Sequence, residues 1–335
     1  MKIKRLGRTG LKVSELCLGT MTFGGQASES ASSAIMDRAV AAGINFIDTA
    51  DGYPMPVTAE TRGRTEEVVG KWLKGRRDEV VLATKCYTRM GPRPWDGGLS
   101  RKHILRAVED SLRRLQTDYI DLYQAHHVDP DTPQDETLRA LEDLVRAGKV
   151  RYLGCSNFQA WELCQALWTS DRLRLARYDC VQPRYNLLYR QIEDELLPLC
   201  RAEQVGVIVY NPLAGGFLTG KYRPREEAAA DTRFGAFQHV TRLYHQRYWQ
   251  EAQFEAVERL QAHFRARGKS LAQAALAWTL QQPGITCAIV GASRAEQLDE
   301  TLPAAELLLD AEDLAVCDDA WFSLPRPRDP EIALR

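Results

Sequence analysis

Residues 80–124 read VVLATKCYTRMGPRPWDGGLSRKHILRAVEDSLRRLQTDYIDLYQ and determine the fold class. Two short segments rich in β-branched and aromatic residues, Val80–Thr84 and Tyr119–Gln124, are typical of buried strands. Between them, apolar residues recur every three or four positions from Ile104 to Leu115, which predicts an amphipathic helix. A strand, a helix and a second strand in this order form a βαβ unit with parallel strands and a right-handed crossover.

The same alternation extends over most of the chain. It gives eight strand candidates, which are Leu16–Leu18, Asn45–Ile47, Val80–Thr84, Tyr119–Gln124, Tyr152–Cys155, Asp179–Val181, Gly206–Tyr210 and Cys287–Val290. Repeated βα units build a parallel sheet, which is either open and doubly wound or closed into a barrel.

Three features favour the closed barrel. The strand count is eight, no Gly-x-Gly-x-x-Gly motif follows the first strand (LGTMTFGG, residues 18–25), and no linker divides the chain. We therefore predict an α/β fold, a (β/α)8 TIM barrel that forms a single domain over residues 1–335. The surplus length is assigned to an N-terminal β-hairpin at about residues 2–14, long βα loops and an extra C-terminal helix near Glu312–Phe322.

Two helix starts are predicted from capping signals. Thr132 before Pro133 is typical of an N-cap followed by proline at the first helical position. Ser270 and Gln273 have the spacing of a capping box, in which each side chain bonds the backbone of the other residue.

The charge balance argues against several kinds of partner. The chain has 44 Lys and Arg against 45 Asp and Glu, so we expect no nucleic-acid or anionic-membrane surface. The start MKIKRLGRTGLKV lacks the apolar core of a signal peptide, and no apolar run is long enough for a membrane span. The eight cysteines form no Cys-x-x-Cys pair, which favours buried thiols in a reducing cytosol over disulfides or zinc. We therefore predict a cytoplasmic protein without a metal site.

Four polar side chains stand at successive strand ends of the predicted barrel. Asp48 follows the second strand, and Tyr53 lies in the loop after it. Lys85 follows the third strand, and His126 the fourth. The carboxyl ends of barrel strands converge on the face that holds the active site. We therefore predict that these four residues meet there as the catalytic set.

This set is suited to proton transfer to an oxygen atom. A tyrosine hydroxyl has a pKa of about 10, and a nearby lysine ammonium favours its ionised form. An aspartate keeps the lysine charged, and a histidine can orient a carbonyl oxygen. The set contains no hydride source, so a reduction needs a bound cofactor. A Schiff base on Lys85, as in an aldolase, is the alternative chemistry on the same fold.

The later strand ends carry groups suited to a nicotinamide dinucleotide. Four of them can hydrogen-bond or stack with the nicotinamide: Ser156, Asn157, Gln182 and Tyr210. The loop NPLAGGFLTGKY after the seventh strand combines three glycines with Lys221, and GASRAEQL after the eighth strand opens a helix, so both are predicted to bind phosphate. Arg294 in the second loop predicts recognition of a 2′-phosphate, and therefore NADP(H).

Aromatic residues in the loops of the same face are candidates to line an apolar substrate pocket: Phe23, Tyr87 and Trp95. An insertion at residues 54–64, directly after Tyr53, is expected to shape the mouth of that pocket. The predicted partner is a small-molecule carbonyl substrate. We expect no binding to nucleic acid or membrane, and the sequence predicts no oligomeric state.

Nine stretches between the N-terminus and about residue 302 resemble one known family. They are LGRTGLKVSELCLGTMTFG, FIDTADGY, GRTEEVVGKWL, VVLATK, SLRRLQTDYIDLYQAHHVD, GKVRYLGCSNF, QPRYNLLYR, VYNPLAGGFLTGKY and VGASRAEQL. In combination they are similar to the aldo-keto reductases, in the branch that holds potassium-channel β-subunits and related bacterial oxidoreductases.

The resemblance implies a (β/α)8 barrel and reversible, NADP-dependent reduction of aldehydes and ketones to alcohols. The family's catalytic tetrad falls on Asp48, Tyr53, Lys85 and His126, with Tyr53 as the proton donor. The cofactor-binding positions fall on Gly19, Thr20, Met21, Asp48, Ser156, Asn157, Gln182, Tyr210, Asn211, Pro212, Leu213, Gly215, Leu218, Lys221, Gly291, Ser293, Arg294, Gln297 and Glu300.

The chain departs from the family pattern near the adenine position. Glu300 is followed by Thr301, where the family commonly has asparagine, so one adenine contact is expected to differ. The branch also implies an alternative function, an NADPH-binding regulatory subunit with little or no turnover.

Overall fold

The structure is a computed structural model that describes residues 1–229, 232–235 and 238–325. The strands in these ranges are β1 (Ile3–Arg5), β2 (Lys12–Ser14), β3 (Leu16–Gly19), β4 (Phe46–Asp48), β5 (Val81–Cys86), β6 (Ile120–Ala125), β7 (Val150–Ser156), β8 (Cys180–Gln182), β9 (Gly206–Val209) and β10 (Cys287–Gly291).

Helices alternate with the strands along the chain. They are α1 (Glu29–Ala41), α2 (Arg64–Leu73), α3 (Arg101–Leu115), α4 (Gln134–Arg146), α5 (Ala160–Leu173), α6 (Leu196–Glu203), α7 (Gln238–Tyr248), α8 (Glu251–Ala266), α9 (Leu271–Gln281), α10 (Glu296–Thr301) and α11 (Ala311–Phe322). None of those in the described ranges has the length and apolar character needed to cross a bilayer.

The eight strands from β3 to β10 close into a parallel barrel in the order β10-β3-β4-β5-β6-β7-β8-β9. Each of the eight predicted strands is present, with ends that differ from the prediction by at most two residues. The prediction of a (β/α)8 TIM barrel with an N-terminal hairpin and a C-terminal helix is confirmed.

The chain divides into two compact units. Unit 1 comprises Met1–Pro183, Ile192–Tyr210 and Gly284–Leu298, and it contains every strand of the barrel. Unit 2 comprises Arg184–Gln191, Asn211–Pro283 and the chain from Asp299 onward. The single domain expected from the sequence stays a prediction.

The N-terminal hairpin, β1 paired antiparallel with β2, contributes to the core of unit 1. Leu6 and Val13 are fully buried in one cluster with the first residues of three barrel strands, Phe46, Cys180 and Cys287. Because these residues begin their strands, the hairpin packs at the amino-terminal end of the barrel. The carboxyl-terminal end is therefore the one left for chemistry.

Both capping predictions were wrong in detail. Thr132 donates its hydroxyl to Asp129 Oδ2 at 2.8 Å, so Pro133 takes the N-cap position and α4 begins at Gln134. Ser270 is the N-cap of α9, but its side chain makes no capping bond. Gln273 donates to the Glu300 carbonyl at 2.9 Å instead of returning to the cap. A partner within the same loop thus engages Thr132, whereas a partner distant in sequence engages Gln273.

Candidate active site

A buried ion pair joins the ends of β4 and β5 in unit 1. Lys85 Nζ lies 2.5 Å from Asp48 Oδ1 and also donates to the Thr49 carbonyl at 2.9 Å. Lys85 is fully buried, and Asp48 is 3% exposed. Taking two charges out of water costs free energy, which is recovered only where both are well paired and hydrogen-bonded. The arrangement therefore fixes the lysine ammonium at one point below the barrel mouth.

Tyr53 and His126 adjoin this pair, as predicted from their positions after the strands. Lys85 Nζ lies 5.2 Å from the centroid of the Tyr53 ring. The rings of Tyr53 and His126 meet edge to face with centroids 5.9 Å apart. The Tyr53 carbonyl accepts hydrogen bonds from the amides of Gly63 and Thr65, so the start of α2 holds the tyrosine backbone. All four predicted catalytic residues thus lie together at one end of the barrel.

The protonation states of the lysine and the histidine follow from this packing. Burial lowers the pKa of Lys85, but Asp48 and Tyr53 together outweigh it, so the net pKa is above the usual value. Burial lowers the pKa of His126 well below its usual value, and the Lys85 charge adds to the effect. At neutral pH the lysine is an ammonium and the histidine a neutral imidazole. Among the described residues, none hydrogen-bonds His126 Nδ1.

The second oxygen of Asp48 is held by two amides inside the barrel. Gln124 Nε2 donates to Asp48 Oδ2 at 3.0 Å and Gln182 Nε2 at 2.9 Å, while Gln182 also donates to Gln124 Oε1 at 3.2 Å. Gln182 was predicted to contact the nicotinamide carboxamide, and the structure directs its amide nitrogen to Asp48. Gln124 was not predicted. The sequence feature that could have identified Gln124 is its position two residues before His126. Alternate residues of a strand point to the same face, so Gln124 is expected to point inward with His126.

Three residues at the ends of β7 and β9 form a second polar chain in unit 1. Tyr210 donates its hydroxyl to Asn157 Oδ1 at 2.8 Å, and Asn157 Nδ2 donates to the His126 carbonyl at 3.0 Å. Ser156 Oγ donates to the Gln182 carbonyl at 2.8 Å. Asn157 adopts a left-handed conformation with φ 61°, which turns its side chain back toward these partners. The chain links the predicted nicotinamide-binding positions to the backbone of His126.

The end of β3 places three more predicted cofactor residues beside Asp48. Thr20 is fully buried and donates its hydroxyl to the Asp48 carbonyl at 2.9 Å. A Cβ on Gly19 would lie 2.6 Å from Ile289 Cγ2, so only glycine fits at this strand end. The carbonyl of Met21 accepts the Met55 amide at 3.3 Å, which ties this segment to the insertion after Tyr53.

In unit 2, residues 211–221 form a turn with an unusual backbone. Asn211, Ala214, Gly215, Gly216 and Gly220 all have positive φ. Asn211 Oδ1 accepts the Gly215 amide at 2.5 Å, and Pro212, Leu213 and Leu218 complete the predicted set, with Leu218 fully buried. A Cβ on Gly216 would lie 3.8 Å from Lys221 Nζ, so the ammonium stands beside bare glycine backbone. Glycine backbone with a positive charge beside it is suited to an anionic oxygen.

The segment after β10 was also predicted to bind phosphate. Arg294 is exposed and forms no ion pair with any residue in the described ranges, and Gly291 is exposed as well. Gln297 Oε1 accepts the Ser293 amide at 2.8 Å. The helix that follows, α10, has only six residues, so its dipole contributes little and the Arg294 charge is the main attraction for an anion. Glu300, at the end of α10, is exposed and accepts from Gln273 as described above.

The three predicted pocket residues differ in their surroundings. Phe23 is fully buried, whereas Trp95 is 44% exposed, with Lys102 Nζ 4.9 Å from its ring centroid. Tyr87 packs against His127 at 5.3 Å, and His127 stacks on His126 at 5.1 Å. Tyr87 is therefore connected to His126 through the ring of His127.

The insertion at residues 54–64 contacts the loop after β5. Arg62 Nη1 donates to the Arg89 carbonyl at 3.1 Å, which joins the two loops that carry Tyr53 and Tyr87.

Comparison with known proteins gives a consistent result. The family model described as "Aldo/keto reductase family" matches residues 15–321. The uncharacterized oxidoreductase YrpG of Bacillus subtilis is 41% identical, with 99% of each chain covered. Protein tas of Escherichia coli is 38% identical, covering 94% of this chain and 96% of its own. A probable voltage-gated potassium channel subunit beta of Arabidopsis thaliana is 35% identical, with 92% of each chain covered.

By its barrel, its relatives and the polar groups at its strand ends, the protein is a TIM-barrel oxidoreductase. The chain belongs to the aldo/keto reductase family.

Proposed function

We propose that the protein reduces aldehydes and ketones to alcohols with NADPH, and that Tyr53 donates the proton. The observation that carries this proposal is the buried Lys85–Asp48 pair, whose ammonium lies 5.2 Å from the Tyr53 ring centroid. A fixed positive charge beside a phenol lowers the cost of giving up its proton. The same charge would stabilise the phenolate that remains after transfer.

The residues present fit a nicotinamide dinucleotide. In unit 1, the hydroxyl and amide groups of Ser156, Asn157 and Tyr210 suit a nicotinamide. In unit 2, the glycine turn beside Lys221 suits phosphate oxygens. Arg294 would form a charge-assisted hydrogen bond with a 2′-phosphate, which is the argument for NADP(H). When bound, this cofactor supplies the hydride.

The protein's own residues then manage the oxygen and its proton. His126, neutral because its pKa is lowered, would donate a hydrogen bond to the carbonyl oxygen and set its direction. Tyr53 would pass its hydroxyl proton to that oxygen as negative charge develops. Lys85 stays charged throughout, since Asp48 holds it and raises its pKa. The hydrogen bonds from Gln124 and Gln182 hold the Asp48 carboxylate in the orientation in which it contacts Lys85.

The two alternative functions have less support. A Schiff-base lysine must be neutral to attack a carbonyl, and the raised pKa of Lys85 opposes this. A regulatory subunit is favoured by the similarity to the plant channel subunit, which covers 92% of the chain. The complete set of Asp48, Tyr53, Lys85 and His126 favours turnover, because a protein that only holds cofactor needs no proton donor.

We expect the protein to act in the cytoplasm on small carbonyl compounds. A panel of candidate substrates tests the carbonyl-reductase activity. Aldehydes, ketones, quinones and sugars are offered with NADPH, whose oxidation is followed by absorbance, and with NADH as the control. Turnover with NADPH is expected to exceed that with NADH about tenfold or more in kcat/KM, since a charge-assisted hydrogen bond contributes about 1.5–3 kcal/mol. Equal rates with NADH would refute the role of Arg294, and tight NADPH binding with no turnover across the panel would favour the regulatory subunit.

A further inference from the structure

A second group of buried charges lies in unit 1 beside the catalytic set. Asp51 and Glu66 are both fully buried, although neither belongs to the proposed catalytic machinery. Asp51 stands two residues before Tyr53, and its backbone amide donates to the Lys85 carbonyl at 3.0 Å. The segment that carries the proposed proton donor is thus anchored on the strand of the proposed catalytic lysine.

The two carboxyl groups differ in their partners. Glu66 Oε1 accepts the Thr84 hydroxyl at 2.6 Å, and Glu66 Oε2 accepts Arg114 Nε at 2.7 Å. Neither oxygen of Asp51 accepts a hydrogen bond from any described residue. Thr88 and the backbone of Tyr87 lie near the Asp51 carboxyl and lower its pKa, but by less than burial raises it.

The charges in this group do not balance if both acids are ionised. Arg114 supplies the only positive charge that faces Asp51 from α3, and Glu66 on α2 already binds it. The other titratable groups near Asp51 are the buried Cys86 on β5 and Tyr123 on β6, and neither is a cation. An isolated buried carboxylate is costly, so such a group takes up a proton instead. Burial, and next the charge of Glu66, raise the pKa of Asp51 to about 8.

We propose that Asp51 is a positioning residue for Tyr53 and that it must carry a proton for the enzyme to work. A Cβ on Gly52, between these two residues, would lie 2.5 Å from Thr88 Oγ1, so residues 51–53 are packed tightly against the loop after β5. Ionised Asp51 would draw water into this contact or move away from Glu66. Either change would displace Tyr53 from Lys85. The inference rests on the proposed role of Tyr53 as proton donor.

Infrared spectroscopy of the whole protein tests the proton on Asp51 without any turnover. Wild-type protein labelled with carboxyl-¹³C aspartate is expected to show the C=O stretching band of an aspartic acid at pH 7, and the band should titrate near pH 8. Asp51→Asn should lack it. The matched control is Asp179→Asn, because burial also raises the pKa of Asp179, there to about 6, so this aspartate is mostly ionised at pH 7 and its replacement should leave the band in place. A band that is absent from wild type at pH 7, or that Asp51→Asn retains, overturns the proposal.

The pH profile of turnover tests the link to Tyr53. Wild-type kcat is expected to fall about tenfold per pH unit above pH 8, as loss of one proton predicts. Asp51→Asn, an uncharged analogue of the protonated acid, should keep most of the turnover at pH 7 and lack the break near pH 8. A break near pH 8 that Asp51→Asn retains would show that Asp51 does not position Tyr53. If instead Tyr53→Phe turned over normally, the proposed function would fail while the infrared result still reported on Asp51.

Discussion

Two buried clusters adjoin on strand β5 and show how neighbouring charges can have opposite outcomes. Lys85 reaches Asp48 on one side of the strand, and Thr84 reaches Glu66 on the other, because successive strand residues point to opposite faces. In the first cluster each charge has its own partner. In the second, Asp51 and Glu66 share a single guanidinium, that of Arg114.

Lys85, Asp48, Asp51 and Glu66 are all buried, so the number of opposite charges available to each decides its protonation state. The pKa of Lys85 ends above its usual value because Asp48 and Tyr53 outweigh burial. The pKa of Asp51 rises to about 8 because burial, and next the charge of Glu66, outweigh the opposing charge of Arg114. The first cluster holds a permanent charge, and the second holds a proton. The predictions that follow alter one cluster at a time.

The largest effect is expected from Lys85→Met, which breaks the balanced cluster. Asp48 would keep only the two glutamine amides as partners, and removing one member of a buried pair costs about 3–5 kcal/mol of unfolding free energy. Turnover should fall by about 10² or more, since general acid catalysis contributes about 10²–10⁴. Chemical denaturation and single-turnover rates measure the two effects.

The double variant Lys85→Met, Asp48→Asn is the control for that prediction. It removes both charges, so it should recover part of the lost stability but none of the lost turnover. Stability that stays as low as in the single variant would show that the ion pair is not the source of the loss.

A smaller effect is expected from Glu66→Gln, which balances the second cluster. Arg114 would then face Asp51 without a competing carboxylate, so the pKa of Asp51 should fall below about 8 and its acid band should weaken at pH 7. In wild type the pKa of Asp51 is higher in the folded than in the unfolded state. Its proton therefore stabilises the folded protein at low pH, and this stabilisation is lost as pH rises through about 8. The melting temperature of wild type should therefore drop between pH 5 and 9 by several degrees more than that of Glu66→Gln. Parallel curves for the two proteins would contradict the shared guanidinium.

The barrel was predictable because its signals are local and repeated. Each strand segment is short and apolar and is followed by a polar residue, so the four predicted catalytic positions could be assigned to one end before any distance was known. The strand ends shifted by a residue or two, as at Asn45, which was predicted as a strand residue but precedes β4. That shift leaves Asp48 as the last residue of its strand.

The second cluster was not predictable because its members acquire their roles through tertiary packing. Asp51 lies in a polar stretch, DTADGY, where a solvated turn is the ordinary expectation. Nothing local shows that Arg114, 48 positions beyond Glu66, reaches back to pair with it. The capping box of Ser270 and Gln273 fails for the same reason, since the distant Glu300 carbonyl accepts the Gln273 amide. At Thr132 the competing partner is local, because Asp129 lies only three residues earlier.

The central claim is that Tyr53, beside the Lys85–Asp48 pair, donates the proton in an NADPH-dependent reduction. The most direct measurement compares Tyr53→Phe with Tyr119→Phe. Tyr119 directly precedes β6, and its hydroxyl donates to Asp78 Oδ1 at 3.0 Å in an exposed hydrogen bond. Both variants should bind NADPH as wild type does, as measured by its fluorescence. Tyr53→Phe is expected to lose about 10²–10⁴ in turnover, and Tyr119→Phe to lose little. Turnover by Tyr53→Phe within a few-fold of wild type would contradict the account.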